Sequence, residues 1–127
     1  MLKNIPKNLS PELLKILCEM GHGDEIVIGD GNFPAASHAQ RLIRSDASGV
    51  AELLESILEI LPLDTYVESA VSLMKTGSEY PGEPEVWSVY RKTLEKHEEF
   101  KDFEFVERLH YACLAGGSAI YAAATDK

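Results

Sequence analysis

Apolar residues recur at helical spacing in three stretches of this chain and in strand-like runs between them. Ser10-Pro11-Glu12 opens the first helix: serine caps free amide groups, proline suits the first helical position, and an acid there complements the dipole. Leu13, Leu14, Ile16, Leu17 and Met20 then form an apolar stripe, and Gly21 is placed to end the helix in a left-handed turn. Residues 25–29 follow as a short, continuous apolar strand bracketed by His22 and Asp30. After the turn-rich run Asp30-Gly31-Asn32-Phe33-Pro34, residues 41–44 are a strand candidate. Residues 46–49 supply caps for a helix over 50–61, whose inward face is Val50, Leu53, Leu54, Ile57, Leu58 and Leu61 and which Pro62 stops. The β-branched and apolar content of 66–74 predicts a strand, and 77–83 a loop. Pro84 opens a helix reaching His97, with Val86, Val89, Tyr90 and Leu94 on one side, and residues 103–108 alternate as a half-buried strand. A short helix over 111–115, broken by Gly116-Gly117, leads to a final apolar strand over 119–124.

Alternation of helices and strands argues for an α/β layered domain with a central, largely parallel sheet, and small ligands bind such sheets beyond the carboxyl ends of the strands. Asp30 ends its strand at that kind of edge. A length of 127 residues fits one domain. The lack of a GxGxxG or a GxxxxGK(S/T) run weighs against a dinucleotide or nucleoside triphosphate. The 21 acidic against 12 basic residues give a net charge of −9, which repels a phosphate backbone and makes nucleic acid and anionic membrane poor partners. Part of that excess, Glu52, Glu55 and Glu59, reads as a solvated helix face, and His97 within 95–99 reads as solvated too. Cys18 and Cys113 lie in apolar segments with no CxxC pair and no histidine at ligand spacing, so they read as buried thiols of a reducing compartment, with no metal site expected. With no apolar stretch of signal-peptide or membrane-span length, the expected location is the cytoplasm.

Gly21-His22-Gly23-Asp24 is the most informative run. A histidine between two glycines has little shielding, and an imidazole titrating near ~6.5 moves protons in either direction at neutral pH. The bland alternative is a histidine that merely occupies a helix-to-strand turn. Asp30 has the same two readings: an aspartate before glycine stabilises a turn, or its carboxylate accepts hydrogen bonds from ligand hydroxyls or orients the histidine. The strand between them separates the two residues beyond contact unless the His22 turn folds back or a second subunit contributes. Arg108 at the end of its alternating strand is either a surface cation or a multidentate donor.

Together these residues resemble the fucose-mutarotase/ribose-pyranase (FucU/RbsD) family. The likeness is closest in Ser10-Pro11-Glu12-Leu13-Leu14 and Met20-Gly21-His22-Gly23-Asp24-Glu25-Ile26. It continues through Asp30-Gly31-Asn32-Phe33-Pro34-Ala35, Ile43-Arg44 and Leu61-Pro62-Leu63-Asp64-Thr65-Tyr66-Val67-Glu68-Ser69, and leans to the fucose branch. The resemblance implies a single domain over residues 1–127, three-layered α/β/α around a mostly parallel sheet, assembling into homo-oligomers with sites near subunit boundaries and no metal or organic cofactor. It implies a mutarotase that interconverts the anomers of an aldopyranose, L-fucose or else ribose, with His22 as catalytic proton donor and Asp30, Arg108 and Tyr111 as substrate contacts. Two alternatives accompany it: a pyranase that closes the opened sugar to a furanose, and a sugar-binding module without turnover. Tyr66 and Tyr111 either stack on a sugar face or enter the core, with core the default. The family's Phe-x-Phe-Tyr-Glu run falls either at 109–113 or at 103–108, and the second placement puts Asp102 where the family has arginine. Residues 119–126 resemble the family's penultimate strand, so a closing strand with a Tyr-x-Asn motif is expected after Lys127.

Overall fold

The computed structural model describes residues 2–76, 82–107 and 121–125. The first helix, α1 (Pro11–Glu19), starts where its sequence predicts: Ser10 Oγ accepts the Leu13 N–H at 3.2 Å and Pro11 takes the first helical position. It ends on Met20 in an extended conformation, so the expected left-handed turn at Gly21 is absent and the positive φ, +87°, falls at Gly23 instead. There follow β1 (Ile26–Gly29), α2 (Ala35–His38), β2 (Leu42–Ser45), α3 (Val50–Leu58), β3 (Ser72–Met74), α4 (Glu85–His97), β4 (Glu104–Val106) and β5 (Tyr121–Thr125).

Every strand pairing among the described residues is parallel, as expected when helices alternate with strands. β5 lies between β1 and β2, with Ile26 opposite Tyr121 and Leu42 opposite Ala122. The last apolar strand is therefore the interior strand of its ladder. β3 and β4 form a second ladder, Ser72 opposite Glu104, so the described strands divide into a three-stranded and a two-stranded sheet. The strand expected over 66–74 shrinks to its last three residues, because Asp64 and its neighbours are engaged in a turn described below.

Helix α3 holds the two halves together. Leu53 and Ile57 pack with Leu9, Leu13 and Leu17 against Ile26, Ile28 and Ile43 of the first sheet. Leu58 packs instead with Leu94 and Phe103, beside Leu73 and Tyr90. A helix that faces two clusters needs a wide apolar face, which explains why Leu53, Leu54, Ile57 and Leu58 are all apolar. On α4 the inward stripe is Trp87, Tyr90 and Leu94; Val86 and Val89, expected inside, are exposed. Arg91 on the same helix reaches Asp102 at 3.1 Å and lies 5.0 Å from the Phe103 ring centroid, which pins the entry to β4. No helix among the described residues is long and apolar enough to cross a membrane.

The charged helix faces also connect. Glu55 Oε1 accepts from Lys96 Nζ at 2.7 Å and from His97 Nε2 at 2.9 Å, bridging α3 to the last turn of α4. Neither Glu55 nor His97 is the freely solvated group its charged neighbourhood predicts. The Lys96 hydrogen bond, and after it that of His97, hold the Glu55 carboxyl below its ordinary value of 4.5. The folded chain therefore binds this proton less readily than the unfolded one. The bridge's stability is fully present above the ordinary value and lost as pH falls through the lowered one. In thermal melts, Glu55→Gln should melt below the parent at neutral pH, and the gap between the two should close as pH falls below about 4.5; a gap independent of pH would contradict the bridge.

Candidate functional site

The His22 turn is built from its two glycines and Asp24. Gly21 O accepts the Asp24 N–H at 3.1 Å, and Asp24 Oδ2 accepts the Gly21 N–H at 2.8 Å. With a positive φ at Gly23 and none at His22, this is the form of a type II turn, whose third position favours glycine. The side chain at the second position points away from such a turn, and His22 is accordingly 68% exposed.

Its imidazole is not loose. His22 Nδ1 lies 2.9 Å from Asp64 Oδ1, and the same oxygen accepts the Tyr66 N–H at 2.9 Å. The Tyr66 ring meets the imidazole at 4.3 Å between centroids, nearly perpendicular at 78°. The Tyr66 N–H, and after it His22, hold the Asp64 carboxyl below its ordinary value, so it is a carboxylate at neutral pH. A carboxylate only accepts, so Nδ1 carries the hydrogen and Nε2 is left as the ring's acceptor nitrogen. Sequence reading missed Asp64 as a partner of His22. Its signal was the aspartate two residues before Tyr66, the spacing of a side-chain-capped turn, inside the run Leu61–Ser69. Tyr66, expected in the core, is 80% exposed.

Asp30 stands at the other end of β1. Its Oδ1 accepts from the backbone N–H groups of Asn32 at 2.9 Å and Phe33 at 3.1 Å, so it does cap its own turn and leaves Oδ2 for a hydroxyl. The turn folds the Phe33 ring onto Gly29, where a Cβ would come within 2.6 Å of the ring. Beside Asp30 opens a cavity of about 610 Å³ whose walls include Phe33, Leu54, Trp87 and Tyr90. Burial, and secondarily the Asp30 charge, raise the Tyr90 phenol above its ordinary value and keep it a donor. The four residues of β1 span roughly 13 Å, and among the described residues no hydrogen bond or ion pair joins His22 to Asp30.

Arg108, Tyr111 and Cys113 lie outside the described residues. Asp102, the residue that the second placement aligned with the family's arginine, is an ion-pair partner of Arg91. Cys18 is exposed on α1, not buried, because the stripe of Leu13, Ile16 and Leu17 faces the other way. Among the described residues, no group of three or more histidine, cysteine or acidic side chains is arranged to hold a metal ion.

Asp64→Asn keeps the shape but replaces a pure acceptor with an amide that no longer holds the hydrogen on Nδ1. Nitrogen NMR of His22 should show a mixed tautomer population in that variant and a single one in the parent, with the melting temperature nearly unchanged because both groups reach solvent. An unaltered tautomer would remove Asp64 from the arrangement.

Comparison with known proteins places these residues in context. The model of the RbsD / FucU transport protein family matches residues 3–124. The fucose mutarotase of Homo sapiens is 41% identical over a 135-residue alignment covering 94% of this chain and 88% of that protein. Among solved structures, the fucose mutarotase from Streptococcus pneumoniae in complex with L-fucose superposes with a TM-score of 0.91 at 43% identity, covering 99% of this chain and 89% of that one. FucU from Bifidobacterium longum superposes with a TM-score of 0.92 at 40% identity, covering 98% and 90%. A single-domain α/β fold shared at this level, and a family match over nearly the whole chain, show that this protein belongs to the RbsD / FucU family.

Proposed function

We propose that this chain is an L-fucose mutarotase, an isomerase that interconverts the α and β anomers of the pyranose. The observation that carries this reading is the His22–Asp64 pair: an exposed imidazole with its tautomer held by a carboxylate, in a chain whose similar relatives are fucose mutarotases. Mutarotation requires the anomeric hydroxyl to lose its proton while the ring oxygen gains one; the C1–O5 bond opens, the aldehyde turns, and the ring closes on its other face. His22 Nε2 exchanges the proton, and Asp64 steadies the imidazolium that forms when it takes one. Acid and base groups suffice, with no change of oxidation state and no group transferred. Such proton transfer is typically worth about 10²–10⁴-fold in rate, and fixed orientation adds to it.

Asp30 has the role of hydroxyl acceptor in this reading, and Arg108 and Tyr111 are further substrate contacts. Because β1 separates His22 from Asp30, the working site pairs the His22 end of one subunit with the Asp30 end of another, in a cytoplasmic homo-oligomer. A three-layer α/β/α arrangement, with the two ladders as parts of one central sheet in the assembled protein, belongs to the same proposal.

Saturation-transfer NMR on anomeric protons reads the reaction directly. The parent should accelerate exchange of L-fucose over ribose; equal acceleration would favour a pyranase, and binding without acceleration a sugar-binding module. His22→Ala should lose about 10²-fold or more of the exchange with its fold intact. Mixing His22→Ala with Asp30→Asn under subunit exchange should recover part of the activity, since some mixed interfaces carry both native groups. Two variants that stay inactive together would place both residues in one subunit's site.

A further inference from the structure

We infer that Tyr66 is a sugar platform and a positioning residue for His22, its open ring face taking the apolar side of the pyranose. This rests on the mutarotase reading and names a contact within that site. An aromatic ring on a surface needs no explanation when it stands alone. Tyr66 does not stand alone: its N–H is bound to Asp64 Oδ1, its ring contacts the His22 imidazole, and Val67 beside it is also exposed. An apolar spot thus adjoins the nitrogen that moves protons. At 80% exposure the ring buries too little to add much to the fold, so fold stability does not account for its place.

A pyranose is amphipathic, with a rim of hydroxyls and a face of C–H groups, and a 6-deoxy sugar adds a methyl group to its apolar part. The face of an aromatic ring is negative and attracts the slightly positive hydrogens of such C–H groups. Seated on Tyr66, the sugar presents its anomeric oxygens to the adjoining imidazole, while the same ring restricts imidazole rotation from one side and Asp64 from the other. The phenol hydroxyl is not needed for either task; the ring is.

The test uses the full chain with Tyr66→Phe and Tyr66→Leu, neither of which disturbs the backbone N–H that binds Asp64. Exchange of L-fucose anomers is measured against sugar concentration, and the His22 ring-proton resonances are recorded without sugar. The Phe variant, which keeps the ring, should retain the ring-current displacement of the His22 signals and shift KM less than the Leu variant does. The Leu variant should melt near the parent temperature, lose the ring-current displacement of the His22 signals, and raise KM by roughly two- to tenfold with kcat changed less. An unchanged KM in Tyr66→Leu beside an active parent overturns the platform while leaving the mutarotase reading in place. A parent that does not accelerate exchange overturns both. A loss that tracks a smaller assembly in sedimentation also overturns the inference, because Tyr66 would then be acting at a subunit contact.

Discussion

One carboxylate oxygen organises the candidate site. Asp64 Oδ1 accepts from the imidazole of His22 and from the backbone of Tyr66, and so connects the turn before β1 to the segment leaving α3. The edge contact between the Tyr66 and His22 rings lies beside that oxygen and joins the same two segments. Both donors also keep the carboxyl ionised, which makes it an acceptor under all conditions near neutrality. The tautomer of His22 is thus held by a residue 42 positions away in sequence.

That connection depends in turn on α3. The helix packs one side against α1 and the first sheet and the other against α4 and Phe103, and the chain leaving it reaches Asp64 within six residues. Its length and its end at Leu58, capped at Glu59, decide where Asp64 arrives. The Glu55 bridge to Lys96 and His97 reinforces the second packing face from the solvent side. Exposed ion pairs of this kind contribute modestly, so the placement rests on Leu53, Ile57 and Leu58 more than on charge.

Local signals were the legible part of this sequence. The Ser10-Pro11 cap, the periodic apolar face of α3, the uninterrupted run of β1 and the parallel pairing implied by alternation all reappear in the structure. What did not show was tertiary. The inner face of α4 depends on which residues meet Leu58, Phe103 and Phe105: Leu94 and Tyr90 join the first two, Trp87 lies 5.4 Å from the Phe105 ring, and Val86 and Val89 are left exposed. The Gly21-His22-Gly23-Asp24 run announced a special backbone, yet the left-handed residue is Gly23, because the helix stops one residue early on an extended Met20. The short α2 follows Pro34, which looks like the end of a loop but is equally an N-terminal cap. Asp64 carried a turn signature, and only the fold says that the turn faces His22.

The separation of His22 from Asp30 is the feature that gives the site its form. A strand paired along its length runs from one end of its ladder to the other, so residues just before and just after it emerge at opposite ends. The two ends are then free to specialise. At the entry of β1 a glycine turn exposes an imidazole held by a carboxylate, an arrangement suited to moving protons. At its exit a self-capped aspartate stands beside a cavity walled by aliphatic and aromatic side chains, an arrangement suited to recognising a hydroxyl next to an apolar group.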